Sequence, residues 1–262
     1  MNGQLCREIL SRLGTEAADV TLTVFDAVSS TNDLLRTAAE QGAPEFSVYI
    51  AERQTAGKGR QGRSFFSPKN GLYLSMLFRP QMQAAQTLAL TPMAAVAAAE
   101  AVERCSGEQT QIKWVNDLLL HGKKICGILA EAQLSANAAP DFVIVGIGIN
   151  LTEPEGGFPP ELAGIAGAVF RELPENAFAE CAAALISGLL REYRRLPEKH
   201  YLSGYRSRLC VLNRPVTVLE NGIERDAVAL AADDDLRLLV RYADGTEQWR
   251  TTGEIRLRLK PC

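Results

Sequence analysis

The chain has 262 residues, 47% of them apolar, and a formal net charge of -3; this suffices for one large core, or a main domain with a small satellite, in a soluble protein. The slightly acidic balance excludes broad coating of nucleic acid, which needs a strongly basic domain, so any anion site must be local. Only two histidines, His121 and His200, and six cysteines without a C-x-x-C pair, at 6, 105, 126, 181, 210 and 262, leave little for zinc ligation or Ser-His-Asp catalysis and point to reduced thiols in the cytoplasm.

In chain order, residues 1–19 carry one short helical pattern (Leu5, Ile9, Leu10, Leu13) and no apolar run of signal-peptide length. Residues 20–25 alternate like a strand. Ser29-Ser30-Thr31-Asn32-Asp33 offers caps for a helix from residue 32 or 33 to about 41, which Gly42 and Pro44 stop. A buried strand over 46–52 runs into a glycine-rich loop, and residues 71–80 form a strand that Pro80 ends. The apolar run 88–102 is interrupted by Thr91, Pro92 and Glu100; it is too short and mild to span a bilayer and predicts a buried, alanine-rich helix over 87–105. Strands are expected over 111–115, 118–120, 124–134 and 142–150, the first three on short turns and so antiparallel. A Gly/Pro-rich loop over 153–160 and an amphipathic helix over 177–196 follow. Beyond Tyr205, strands over 215–220, 227–232, 236–242 and 248–259, with Asn221-Gly222 and Asp244-Gly245 hairpins, predict a small all-β module. The expected fold class is α+β, with a boundary between 1–208 and 209–262.

Three motifs carry chemistry. Gly57-Lys58-Gly59-Arg60-Gln61-Gly62-Arg63 lies in a stretch, 53–99, that holds six cations and no Asp or Glu. Glycines permit close backbone approach and the cations suit phosphoryl oxygens, so the loop reads as an anion-closing segment or as an exposed hairpin tip with incidental charge. Its G-x-G-x-x-G spacing is not a dinucleotide fingerprint, because Ser64-Phe65-Phe66-Ser67-Pro68 cannot continue as the required helix and no acidic residue follows at the ribose position. Lys113-Trp114-Val115-Asn116-Asp117, followed by Lys124 and Gly127, reads as a phosphate-neighbouring turn or as a hairpin whose Trp packs in the core. Gly146-Ile147-Gly148-Ile149-Asn150 reads as a strand that something approaches closely or as a plain core strand.

Taken in this order with Ser30-Thr31-Asn32, Gln54, Asn213-Arg214-Pro215-Val216 and Gly253-Glu254-Ile255, these motifs resemble the biotin protein ligases over residues 24–259. The resemblance implies a mixed sheet related to class II aminoacyl-tRNA synthetases, with flanking helices, plus a C-terminal SH3-like β-barrel. It implies that biotin and MgATP give biotinyl-5′-AMP and pyrophosphate, after which a lysine of a biotin carboxyl carrier protein takes the biotin. Ser30, Thr31, Asn32, Gln54, Gly57, Lys58, Gly127 and Leu129 are the implied biotin residues. Lys58, Arg60, Gln61, Arg63, Phe65, Asn116, Asp117, Lys124 and Asn150 are implied for ATP and the adenylate, with Lys124, Arg60 and Arg63 the catalytic cations. Mg²⁺ would ride on the phosphates, with Asp117 the candidate side-chain ligand.

Two positions depart from the commonest family pattern. Lys58 replaces an Arg, losing the bidentate fork, and Val115 replaces a Pro. One short helix before the first strand leaves no room for a helix-turn-helix, so DNA is not an expected partner; a sheet-edge homodimer is compatible with the family, and no membrane is expected. The rivals are a lipoate or octanoyl ligase on the same fold and a non-catalytic regulator that binds biotinyl-AMP.

Overall fold

The structure, a computed structural model, describes residues 2–220, 223–251 and 254–257. Helix α1 (Gly3–Leu13) is capped by the Asn2 side chain, which accepts from the Leu5 amide, and buries Ile9 and Leu13. Strand β1 (Thr21–Phe25) follows. Helix α2 (Thr31–Glu40) starts one residue earlier than expected, because Ser30 is the cap and accepts from the Asp33 amide at 3.4 Å. Strands β2 (Ser47–Ala51) and β3 (Gly71–Phe78) come next. A 3₁₀ turn (Ala84–Ala89) then leads into α3 (Leu90–Ser106), so the helix expected from residue 87 begins later.

The meander β4 (Gln111–Lys113), β5 (Asp117–Leu120), β6 (Lys123–Leu134) and β7 (Pro140–Asn150) is antiparallel, as its short turns require. Helices α4 (Pro160–Ala163), α5 (Ala177–Arg194) and α6 (Tyr201–Arg208) complete the larger unit. Neither α4 nor α6 is expected from the sequence. The first is a single turn started by Pro159-Pro160, and the second buries only Tyr201 and Tyr205, too few anchors to give a periodic signal.

The seven strands form one mixed sheet in the order β1-β2-β3-β7-β6-β5-β4, with β1 and β2 parallel. Period-two alternation assigns its faces. Leu72, Leu74, Met76 and Phe78 of β3, with Val143, Val145, Ile147 and Ile149 of β7, join the main core. Helices α3 and α5 pack closely within it, because α3 meets α5 through alanines; a Cβ on Gly188 would lie 3.2 Å from that of Ala97. Most of the run 88–102 is thus buried in the core, with Leu90 and Ala94–Ala99 at most 1% exposed, while Leu88 at its start is 53% exposed. The opposite face is covered at one end by α2, whose Leu35 and Ala39 pack on Leu77, Phe142 and Ile144. Beyond that cluster the same face presents Tyr73, Ser75, Gly127, Leu129, Gly146 and Gly148, where three glycines and a serine leave a hollow instead of a helix-packing surface.

Beyond α6, β8 (Pro215–Glu220), β9 (Ile223–Ala232), β10 (Leu238–Tyr242), β11 (Glu247–Arg250) and β12 (Glu254–Leu257) form an antiparallel sheet in the order β11-β10-β9-β8-β12. The single strand expected over 248–259 is two: β11 pairs with β10 and β12 with β8, so the chain changes partner between them. The Asn221-Gly222 turn, Gly253 and residues 258–262 lie outside the described residues. The Trp114 indole donates to the Leu236 carbonyl at 2.8 Å, and one apolar cluster runs through both sheets.

Candidate functional site

Two adjoining cavities, of about 490 and 620 Å³, open on the face opposite α3 and α5 and share Gly59, Arg60, Phe65, Asn116 and Lys124. The first is a slot with a polar end. Its head is the N-terminus of α2, where the Thr31 amide donates to Gln54 Oε1 at 2.8 Å and the Thr31 hydroxyl lies 3.1 Å from the same oxygen. A bridge between Val28 and Gln54 brings this glutamine to the helix start. Gln54 Nε2 donates to Ser67 Oγ at 3.1 Å, and Ser67 donates to the Phe65 carbonyl at 2.8 Å. Asn32 also lines the slot, but its amide is held by Ser75 at 2.6 Å and Glu131 at 2.8 Å.

The walls are made by absent side chains. A Cβ on Gly146 would lie 2.1 Å from Asn32 Oδ1, and one on Gly148 would lie 2.5 Å from the Phe65 ring. The glycines of β7 therefore accommodate two side chains from distant segments. Phe65 lies edge-on to Tyr73, with ring centroids 6.4 Å apart. Burial pushes the Tyr73 phenol well above its ordinary pKa, so it stays a neutral donor, bonded to the Pro68 carbonyl at 2.9 Å.

The glycine loop closes as a hairpin over the other end. The Gly59 amide donates to the Arg63 carbonyl at 2.7 Å and the Phe65 amide to the Gly57 carbonyl at 2.8 Å; Gln61 and Gly62 take positive φ at the tip. Gly57 is buried under it, where a Cβ would come within 2.5 Å of the Phe65 carbonyl oxygen. Lys58 reaches Asp33 in the first turn of α2, with Nζ 2.5 Å from Oδ1. Arg60 donates to Asn116 Oδ1 at 3.0 Å. Asn116 is itself fixed, because its Nδ2 and carbonyl both bond Ile128 at 3.0 Å.

In the second cavity Asp117 is the one carboxylate among the lining residues. It holds Lys124 Nζ at 2.6 Å and Lys113 Nζ at 3.8 Å, while Gln61 and Arg63 line the same space. Lys124 also sits 5.8 Å from the centre of the Phe65 ring. The site thus pairs a hydrogen-bonding head and an aromatic-walled slot with a cationic mouth. That arrangement suits a molecule with a planar polar group at one end and phosphate or carboxylate at the other.

Two of the expected site residues line neither cavity, Gly57, which is buried beneath the hairpin, and Asn150. Asn150 is 8% exposed and donates its side-chain amide to the Gly167 carbonyl at 2.9 Å. It fastens the segment after β7. Conversely, Ser67, Tyr73, Ser75 and Glu131 belong to the site or its support without having been singled out there. Ser75 had a readable signal, a lone polar residue in an otherwise apolar strand.

The sequence profile of the biotin/lipoate A/B protein ligase family matches residues 24–150. The chain is 41% identical over 160 residues to the bifunctional ligase/repressor BirA of Bacillus spizizenii, covering 61% of this chain and 49% of that protein. It therefore spans about half the length of that relative. It is 31% identical over 221 residues to the biotin–[acetyl-CoA-carboxylase] ligase of Mycobacterium tuberculosis, covering 82% of this chain and 80% of that one. Among solved structures, the biotin protein ligase of Aquifex aeolicus in complex with biotin and ATP matches with a TM-score of 0.75 at 26% identity, covering 92% of this chain and 99% of that chain.

Proposed function

This chain belongs to the biotin protein ligases, and from that premise we propose that it activates biotin with ATP and transfers it to a lysine of a biotin carboxyl carrier domain. The observation that carries the reading is the continuity of the slot, from the hydrogen-bonding head at Thr31 and Gln54 to the cations Arg60 and Lys124 at its mouth. A ureido ring fits the head, a thiophane ring and valeryl chain fit the walls at Phe65, Tyr73 and Leu129, and the carboxylate meets the cations. A dithiolane or a plain acyl chain offers the head nothing to bond, which argues against lipoate or octanoate.

In the first step a biotin carboxylate oxygen attacks the α-phosphorus of ATP, an O–P bond forms, and the bond to pyrophosphate breaks. Arg60, Arg63 and Lys124 supply the fixed positive charge that this crowding of oxygens requires. In the second, the carrier amine attacks the acyl carbon, a C–N bond forms, AMP leaves, and the amine's proton passes to solvent. No side chain of this protein needs to be a nucleophile. Its contributions are positioning, charge and exclusion of water by the Gly57–Arg63 hairpin.

Among the described residues no group of three or more His, Cys, Asp or Glu is placed to hold a metal. Mg²⁺ would be held chiefly by the phosphates, as is usual for this ion, with Asp117, whose oxygens face Lys124 and Lys113, as the candidate side-chain ligand; when bound it would offset charge on the phosphates. We assign residues 1–208 to this chemistry and 209–262 to a β module that braces it. Incubation with biotin, MgATP and a biotin carboxyl carrier domain should add one biotin at a single lysine of the carrier, read by mass spectrometry; an unmodified carrier would overturn the transfer step.

A further inference from the structure

Behind the head of the slot runs a chain of hydrogen bonds that begins at the protein surface. Arg36 Nη2 lies 2.9 Å from Glu131 Oε1, and the other Glu131 oxygen accepts from Asn32 Nδ2 at 2.8 Å. Asn32 Oδ1 lies 2.6 Å from Ser75 Oγ, which lies 2.7 Å from Thr31 Oγ1. Ser75 is fully buried and Asn32 is 5% exposed, so water does not substitute for these partners. Gly146 makes the arrangement possible, because any side chain there would occupy the space of the Asn32 amide.

Donor and acceptor rules fix the direction of every bond. An ionised carboxylate only accepts, so Asn32 presents nitrogen to Glu131 and oxygen to Ser75. Ser75 has one proton, and the Asn32 oxygen takes it. The short contact from Ser75 to Thr31 then requires the Thr31 hydroxyl to donate to Ser75. From the other side, the Thr31 backbone amide fixes Gln54 Oε1 toward the helix. The consequence is local: the 3.1 Å contact between Thr31 Oγ1 and Gln54 Oε1 is left without a proton between two oxygens, both of which border the slot.

We propose that Glu131 is a positioning residue that, through Asn32 and Ser75, turns Thr31 Oγ1 and Gln54 Oε1 into an acceptor pair for a substrate N–H. The class of ligand it selects is a cyclic urea or similar N–H donor, and the inference rests on the ligase reading above. Asn32 acts behind the slot and not as a ligand, since both ends of its amide are committed. Without Glu131 the Asn32 amide is free to rotate, Ser75 loses its fixed acceptor, and the Thr31 proton returns to Gln54, closing the acceptor pair.

The test is steady-state biotin-dependent ATP–pyrophosphate exchange with purified full-length variants, alongside thermal unfolding. Glu131→Ala should raise KM for biotin by roughly tenfold, as expected for a lost hydrogen bond to a charged group, with KM for ATP and kcat within about twofold. Glu131→Gln, whose carbonyl can still receive the Asn32 amide, should restore most of the affinity. Ser75→Ala breaks the relay from inside and should raise KM for biotin similarly. The double variant should be no worse than the weaker single, because both remove one path. A folded Glu131→Ala with normal KM for biotin, equal rises in both KM values, or additive effects in the double variant would each overturn the proposal. Wild-type exchange indifferent to biotin would sink the ligase reading itself; a biotin-dependent wild type with an unaffected Glu131→Ala sinks only the acceptor pair.

Discussion

Lys124→Ala is expected to slow biotin-dependent ATP–pyrophosphate exchange by about 10²–10³-fold, the usual cost of removing one preorganised donor to a charged transition state. Lys124 is the second residue of the long strand β6 and lies over Gly127, whose missing Cβ leaves its ammonium room; a Cβ there would lie 3.3 Å from Nζ. Asp117 holds that ammonium at 2.6 Å, so it is aimed at the junction of the two cavities before any substrate arrives. The side chain is 29% exposed and its removal opens no cavity in the core. The thermal midpoint should therefore stay within a few degrees while the rate collapses. Lys124→Arg keeps the charge but spreads it over a planar fork, and should recover only part of the rate. Exchange at the wild-type rate by Lys124→Ala would remove this residue from the chemistry.

Trp114→Ala should have the largest effect on stability. The indole is 3% exposed, packs in the cluster that runs through both sheets, and bonds the Leu236 carbonyl at 2.8 Å. Truncating a buried aromatic costs about 3–5 kcal/mol. At roughly 2–4 °C per kcal/mol for a chain of this size, the melting point should fall by roughly 6–20 °C. Trp114→Phe keeps most of the packing but leaves the Leu236 carbonyl unpaired, at about 1–3 kcal/mol. The neighbours Asn116 and Asp117 hold Arg60 and Lys124, so either change should also weaken ATP use. A melting point within 2 °C of wild type for Trp114→Ala would contradict the view that the small sheet is braced on this motif.

Much of this was legible because it is local. The Ser30 cap, the alternation in β3 and β7, the antiparallel meander and the helix over the alanine-rich run follow from spacing and turn chemistry. The Lys113 to Asp117 motif does two things at once, since Trp114 is buried in the core while Lys113, Asn116 and Asp117 line the cavity. What stayed hidden is the identity of distant partners. Gly146 and Gly148 signal that something comes close, but a sequence does not say that it is Asn32 and Phe65. Asn150 ends the same strand, and the sequence does not say that its amide nitrogen donates to the Gly167 carbonyl. Lys58 stands in the anion loop, yet its ammonium is placed on Asp33. Charge composition tells how much field a segment carries, and only the fold tells which groups share it.

The central claim is that the polar head selects biotin and the cationic mouth drives its adenylation. The most direct measurement is incorporation of labelled pyrophosphate into ATP by the purified protein with Mg²⁺ and one acyl substrate at a time. Biotin should support exchange, and lipoate and octanoate at the same concentration should not. Exchange supported equally by lipoate, or no exchange with biotin and MgATP, would contradict the account.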